Sequence, residues 1–166
     1  MAKKAALIGL FSAAAIILGY VESLIPAFIG IPGVKLGFAN LLVLYVLEIG
    51  RAGSAVLINL IRILVIGFLF GNLFSIIYSL AGASLSMMVM MLLIRTKKVS
   101  VPAVSMAGGI SHNIGQLIIA AFLVDNARLL LYAPVLVISG ILTGFINGII
   151  TAELLKRIPD PDRFTG

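Results

Sequence analysis

Apolar residues run through this chain in long uninterrupted stretches separated by charges or by Gly and Pro, and no other feature limits its possible folds as severely. A helix needs about 20 mostly apolar residues to cross a hydrocarbon core of about 30 Å. Six stretches fit: Ala5–Ile25, Val34–Ile49, Ala52–Phe70, Phe74–Ile94, Val101–Val124 and Pro134–Leu155, the last reaching back to Leu129 if the preceding turn is included. They lack the alternation and the roughly ten-residue spacing of a membrane barrel. The expected fold class is therefore all-α, an integral membrane protein of six transmembrane helices. The second stretch is the shortest and starts among Gly33 and Gly37, which predicts a span that is tilted, capped by its loop or partly unwound. The connecting loops are only a few to about ten residues long. Residues 1–166 thus read as a single membrane domain.

Composition supports the same class. Residues of the AVILMFWYC set make up 61% and charged residues 11%, against roughly 45–50% and about 25% in soluble proteins. Too few polar residues remain to cover a water-facing surface, which excludes a soluble enzyme and a disordered tail. With no cysteine there is no disulfide framework, no thiolate zinc site and no cysteine nucleophile. Lys3 and Lys4 ahead of an apolar run containing Ser12 to Ala15 imitate a signal peptide, but the run is too long, and it is expected to remain a span.

The net charge of +6 is placed for orientation rather than for nucleic acid. With a cytoplasmic N-terminus, the inside receives Lys3, Lys4, Arg51, Arg95, Lys97, Lys98, Lys156, Arg157 and Arg163, while the outside receives Lys35 and Arg128. Arg62 lies within the third span. Such a bias across short loops predicts that both termini are cytoplasmic.

Helices in lipid associate through small residues that let backbones approach. Gly140, Gly144 and Gly148 form one ladder in the sixth span, and Ala103, Ala107, Ser111 and Gly115 another in the fifth, both read as intramolecular packing. Ala5, Gly9 and Ala13 form a third on the first span, open to internal packing or to docking on another membrane protein. Met87, Met88, Met90 and Met91 point around their helix rather than to one centre, so they suit adaptable packing or lipid contact, and no metal site is expected.

Ionisable groups at membrane depth are costly and mark functional candidates. Glu22 lies near the outer end of the first span, Arg62 at the middle of the third and His112 at the middle of the fifth. Asn59 stands one helical turn from Arg62 and Gln116 one turn from His112, so each pair shares a face. Asn113 adjoins the second face, Asn40 begins the second span, and Asn72 sits at the outer turn between spans three and four. Each has a structural alternative: Arg62 pairing with Glu22 or with backbone carbonyls, His112 as a neutral interhelical hydrogen-bonder, the amides as glue. Together they point to an outward-opening site for a polar or anionic small molecule with apolar walls. The segment Pro26–Gly37 carries Lys35 and suits a lid, with Gly30, Gly33 and Gly37 giving backbone freedom.

Catalytic signatures are few. There is no G-x-S-x-G, H-E-x-x-H or G-x-x-x-x-G-K-[ST] pattern and a single His. An ATP-driven function would need a partner with the nucleotide site, and prenyl-diphosphate chemistry needs clustered aspartates to hold Mg²⁺. The one close pair is Asp160 and Asp162, in the tail. The expectation is a non-enzyme with no bound cofactor, whose partners are a small-molecule substrate and the lipid bilayer, with no nucleic acid.

Several ordered motifs resemble one family: Ile31 to Asn40 (IPGVKLGFAN), Arg62 to Leu64 (RIL), Tyr78 to Gly82 (YSLAG), Gly109 to Gln116 (GISHNIGQ) and Pro134 to Gly140 (PVLVISG). Together they resemble the bacterial Gx transporter family, also labelled heptaprenyl diphosphate synthase component I, which is similar to the S components of energy-coupling factor (ECF) transporters. The resemblance covers about Ala5 to Leu155. It implies a six-helix bundle with cytoplasmic termini in the plasma membrane, a pocket near the outer face, a lid from the first external loop, and a small-residue face on the first helix that docks on a transmembrane scaffold. On that resemblance Ala5, Gly9 and Ala13 meet the scaffold, whose ATPases supply energy, and the transported metabolite is of the vitamin, flavin or isoprenoid and quinone precursor classes. The synthase label implies instead a membrane subunit or anchor of a prenyl-diphosphate-forming enzyme or a neighbouring quinone or redox pathway. A purely structural scaffold is a third reading.

Overall fold

The structure, a computed structural model, describes residues 2–24 and 37–158. All regular structure among them is helical: α1 (Ala2–Leu24), α2 (Phe38–Glu48), α3 (Ala52–Phe70), α4 (Leu73–Thr96), α5 (Val101–Leu123) and α6 (Ala133–Arg157), with a 3-10 turn at Ala127–Tyr132 before α6. Short turns make α2 to α6 successively antiparallel. Local chemistry sets several boundaries. Asn72 caps α4, its Oδ1 accepting from Ser75 N at 2.8 Å while Ser75 Oγ receives Asn72 N at 3.0 Å, a reciprocal box that satisfies two otherwise orphaned donors. Pro102 and Pro134 stand in the first turns of α5 and α6, where a missing N–H costs nothing.

The second helix differs from the expected span. It has 11 residues, about 16 Å at 1.5 Å per residue, roughly half of a hydrocarbon core of about 30 Å. Gly37 opens it with φ 74° and Gly50 follows it with φ 79°, left-handed conformations that interrupt a helix and favour glycine. The expected start at Val34 lies outside the described residues. Five helices among those described are long and apolar enough to cross a membrane.

Instead of facing lipid, α2 is enclosed. It packs against α1, α3 and α6, and Ala39, Val43, Leu44, Tyr45, Val46 and Leu47 are all buried. A helix apolar all round is stable only in such surroundings. The core gathers on it: Leu7 and Ala15 from α1, Ala55 and Ile58 from α3, Met87 and Met90 from α4, and Val104 from α5. Polar groups of α6 also reach the main chain of α2 at one-turn intervals. Asn147 Nδ2 donates to Gly37 O at 3.3 Å and Thr151 Oγ1 to Leu41 O at 3.5 Å. At the foot of the pair the buried Tyr45 hydroxyl donates to Ile158 O at 2.7 Å, while its ring stacks on Phe11.

The glycine ladder of α6 does pack internally. A Cβ on Gly140 would lie 2.8 Å from Gly109 C, and one on Gly144 2.7 Å from Met106 Cα. The small residues of α5 pack internally too, but against two neighbours. Gly140, Gly144 and Gly148 meet Pro102, Ser105, Met106 and Gly109, whereas Gly115 turns to α4, where its Cβ would come 3.0 Å from Gly82 Cα. At 3.6 residues per turn, a strict four-residue series drifts around the helix, so α5 divides its small residues between two neighbours. The methionines divide as expected for packing, Met87 and Met90 buried and Met88 half-exposed. Large apolar side chains such as Leu10, Phe68, Phe122 and Leu131 are more than 65% exposed, which suits hydrocarbon rather than water.

Gly140→Val is expected to force the α5 and α6 backbones apart and to cost about 1–3 kcal/mol, whereas Gly9→Val, where nothing lies within 4 Å of the added Cβ, is expected to leave stability unchanged. Thermal unfolding of the purified variants in detergent checks both.

Candidate functional site

Inside the apolar bundle lies a cavity of about 390 Å³ lined by many polar side chains among apolar ones. Its rim, formed by Glu22, Ser23, Gly71 and Asn72, is at the end of the bundle remote from Arg51, Lys97, Lys98, Lys156 and Arg157. From there it descends between α3, α4, α5 and α6 as far as Met90 and Ser105, with the start of α2 as part of its wall.

Arg62 is its cationic group. The guanidinium Nε and Nη2 donate to Asn59 Oδ1 at 3.2 and 2.6 Å, and Nη2 also donates to Asn40 Oδ1 at 3.1 Å. Two amide oxygens thus hold the charge, one from the preceding turn of α3 and one from the first turn of α2. Of the structural alternatives open to Arg62, neither a Glu22 ion pair nor bonds to backbone carbonyls but these two amides hold it, with Glu22 nearby. Among the described residues Nη1 has no hydrogen-bond partner, so a cavity-lining guanidinium retains donors for a ligand.

Glu22 reaches the cavity because the buried stripe of α1, through Leu7, Ala15 and Gly19, ends on it. Its Oε1 accepts from Gly37 N. Gly37 O in turn receives Asn147 Nδ2 and Asn40 N, the latter at 2.8 Å. One residue at the head of α2 is therefore gripped through its two peptide groups from both α1 and α6.

Of the residues singled out in the sequence, Glu22, Asn40, Arg62, Asn72, His112, Asn113, Gln116 and Gly37 all line this one cavity. Their work differs. Asn113 Nδ2 donates across to Leu136 O at 2.8 Å, tying α5 to α6, and the side-chain oxygen of Asn72 is engaged in capping. His112 and Gln116 flank Gly82 of α4, whose Cβ would meet Gln116 Cγ at 2.6 Å and His112 O at 2.7 Å. Asn59 has a different place. It is buried behind Arg62 and lines no part of the cavity, so it positions the guanidinium instead of meeting a ligand. Lys35, Gly30 and Gly33 lie outside the described residues.

Asn147, Tyr78, Ser79, Ser86, Ser105 and Thr143 also line the cavity and were not singled out as site residues. Asn147 carries the same signal that marks Asn59 and Asn113, an amide inside an apolar run, hidden here by the glycine ladder beside it. The serines carry none, because hydroxyls in membrane helices usually bond back to their own backbone, as Ser111 does to Ala107 O at 2.7 Å and Thr143 to Ser139 O at 2.9 Å. No group of three or more His, Cys, Asp or Glu arranged to hold a metal occurs among the described residues. On the far side of α1, Ala5, Gly9 and Ala13 are exposed, away from the cavity-facing stripe.

Replacing Asn59 by Leu keeps the volume and removes an acceptor from two guanidinium donors, which is expected to cost about 1–3 kcal/mol. Asn59→Asp keeps an acceptor and is expected to lose less. Thermal unfolding in detergent would separate the two, and equal losses would mean that the amide matters only for packing.

Comparison with known proteins places this geometry in a family. Residues 11–154 match the family described as heptaprenyl diphosphate synthase component I. No curated protein and no solved structure matches the chain. With the match running from α1 almost to the end of α6, the chain belongs to the heptaprenyl diphosphate synthase component I family.

Proposed function

We propose that this chain is the substrate-binding membrane subunit of an ATP-driven uptake transporter, resembling an ECF S component, and that it captures a small polar or anionic metabolite from outside the cell. The observation that carries this reading is the polar cavity enclosed by an apolar bundle, with a guanidinium held ready by Asn40 and Asn59. A membrane protein that only needed helix glue would close such a space, because buried polar groups facing a void are costly.

In this reading the chain crosses the membrane six times, with α2 part of the second crossing, both termini and the basic clusters face the cytoplasm of a plasma-membrane protein, and the cavity rim faces outward. The chain itself has no catalytic role. Energy comes from ATPases bound to a membrane scaffold, and the exposed face of Ala5, Gly9 and Ala13 meets that scaffold. Movement inward requires two states of one site, open in turn to each side. The ligand belongs among vitamin, flavin, isoprenoid or quinone precursor compounds.

The family description favours a second reading, a membrane subunit or anchor of a heptaprenyl diphosphate synthase. It requires a soluble partner that supplies the aspartates for Mg²⁺, since the described residues offer no such cluster.

Gentle purification of the tagged protein from its own membrane, with identification of its companions by mass spectrometry, separates the two. A membrane scaffold with ATPases is the expected outcome, and a prenyltransferase alone would overturn it. Arg62→Ala is expected to abolish accumulation of the transported metabolite in cells; unchanged accumulation in a folded variant would return Arg62 to a structural role.

A further inference from the structure

The cavity does not end at Arg62. Its inner part reaches between α4, α5 and α6, where Ser86 of α4 and Ser105 of α5 line it. Both residues are more than nine-tenths buried, at 6% and 7% exposed. Neither hydroxyl has a hydrogen-bond partner among the described residues, and neither is among the sealed polar atoms left without one. Ser111 and Thr143, by contrast, bond back to their own helices. Two largely buried, cavity-lining hydroxyls that are free of their backbone form a place for a hydrogen-bonding group. Ser86 Oγ faces the flat surface of α5 at Gly108, lying 3.3 Å from where a Cβ there would stand. Ser105 stands one turn before Gly108 on α5 and turns toward α6, its Cβ 2.9 Å from where a Cβ on Gly148 would stand.

From Ser75 at the upper end of the cavity to Ser86 is 11 residues of α4, about 16 Å at 1.5 Å per residue. We infer that Ser86 and Ser105 form an inner subsite of this cavity. It takes the hydroxyl, carbonyl or ring-nitrogen end of an elongated polar solute whose other end, carrying no more than one net negative charge, meets Arg62. The inference rests on the uptake reading only for the side from which the solute enters.

The charges support the class. The described lining holds one guanidinium and one carboxylate, Arg62 and Glu22, with His112 and Tyr78 as its other titratable side chains. A diphosphate head carries several negative charges and requires more cations or a metal held by carboxylates. The far end is equally unsuited to a prenyl chain, because hydrocarbon against Ser86 and Ser105 would leave both hydroxyls buried without partners. Neither end of a prenyl diphosphate finds matching chemistry among the described lining residues.

The chain has no cysteine, so single-cysteine labelling tests this directly. In sealed right-side-out vesicles, Ser86→Cys and Ser105→Cys are expected to react with externally added sulfonatoethyl methanethiosulfonate, an anionic reagent that does not cross membranes. Adding Arg62→Gln is expected to slow that reaction about tenfold relative to the cationic trimethylammonium reagent, by removing the focusing charge. Inorganic pyrophosphate is expected to leave the rates unchanged, and protection by pyrophosphate would overturn the charge limit by reassigning the cavity to diphosphates. Labelling of both cysteines only by membrane-permeant N-ethylmaleimide, or by nothing, would overturn the subsite. Labelling by the anionic reagent in inverted vesicles alone would sustain the subsite and overturn the outward-facing reading. Size-exclusion profiles show which variants fold, and Ser79→Cys, on the same wall one to two turns nearer the rim, reports whether the cavity is entered at all.

Discussion

A positive charge in a membrane must be held by something other than water, and in this protein the holding of Arg62 organises much of the rest. The guanidinium sits between Asn59 and Asn40, which fixes the head of α2 against the middle of α3. The next links follow along the same helix head: Gly37 N to Glu22 on α1 and Gly37 O to Asn147 on α6. Four helices thus meet through one connected set of polar contacts, in surroundings where each unmade hydrogen bond would be expensive. The same contacts form the upper wall of the cavity. Structural and binding roles are therefore not alternatives for these residues. A side chain that holds a charge in place also decides which of its donors remain exposed.

Much of this was legible in the sequence, for definite reasons. Five of the long apolar runs appear as helices with ends within a few residues of those expected, because length and hydropathy suffice to define an element that meets lipid on one side. The polar positions Glu22, Arg62, His112 and Gln116 were legible because ionisable and amide groups are conspicuous against 61% apolar residues, and they do meet in one cavity. Helix α2 was harder to read. Its apolar run looks like a full span, whereas the left-handed Gly37 and Gly50 bound it at 11 residues and most of its side chains are buried. Asn59 and Asn40 were both marked as site residues, yet one lines the cavity and the other stands behind it, a difference of side-chain direction that spacing does not carry. Ser86 and Ser105 were illegible because whether a serine bonds its own backbone or a cavity depends on the packed neighbour.

The small residues teach a related lesson about register. Regular four-residue ladders were evident in α5 and α6, but only that of α6 operates as written. On α5, contacts pass from Pro102 through Ser105 and Met106 to Gly109 on one side, and Gly108 and Gly115 serve α4 on the other. A helix with two close neighbours needs small residues on two faces. The approach of backbone to backbone that results leaves little room for side chains at the seams, so the space that remains is concentrated in the cavity.

The grip of α6 on α2 has a consequence for how this protein can change over time. Asn147 and Thr151 bond to the carbonyls of Gly37 and Leu41, atoms that every amino acid possesses. Inheritance of that clasp therefore places chemical demands on α6 but only demands of volume on the middle of α2. Exchanges among Leu41, Val43 and Val46 and their apolar counterparts of similar size leave the attachment readable, while the loss of Asn147 or Thr151 does not. Descendants of this chain should accordingly drift in the sequence of their innermost helix sooner than in the outer helix that holds it.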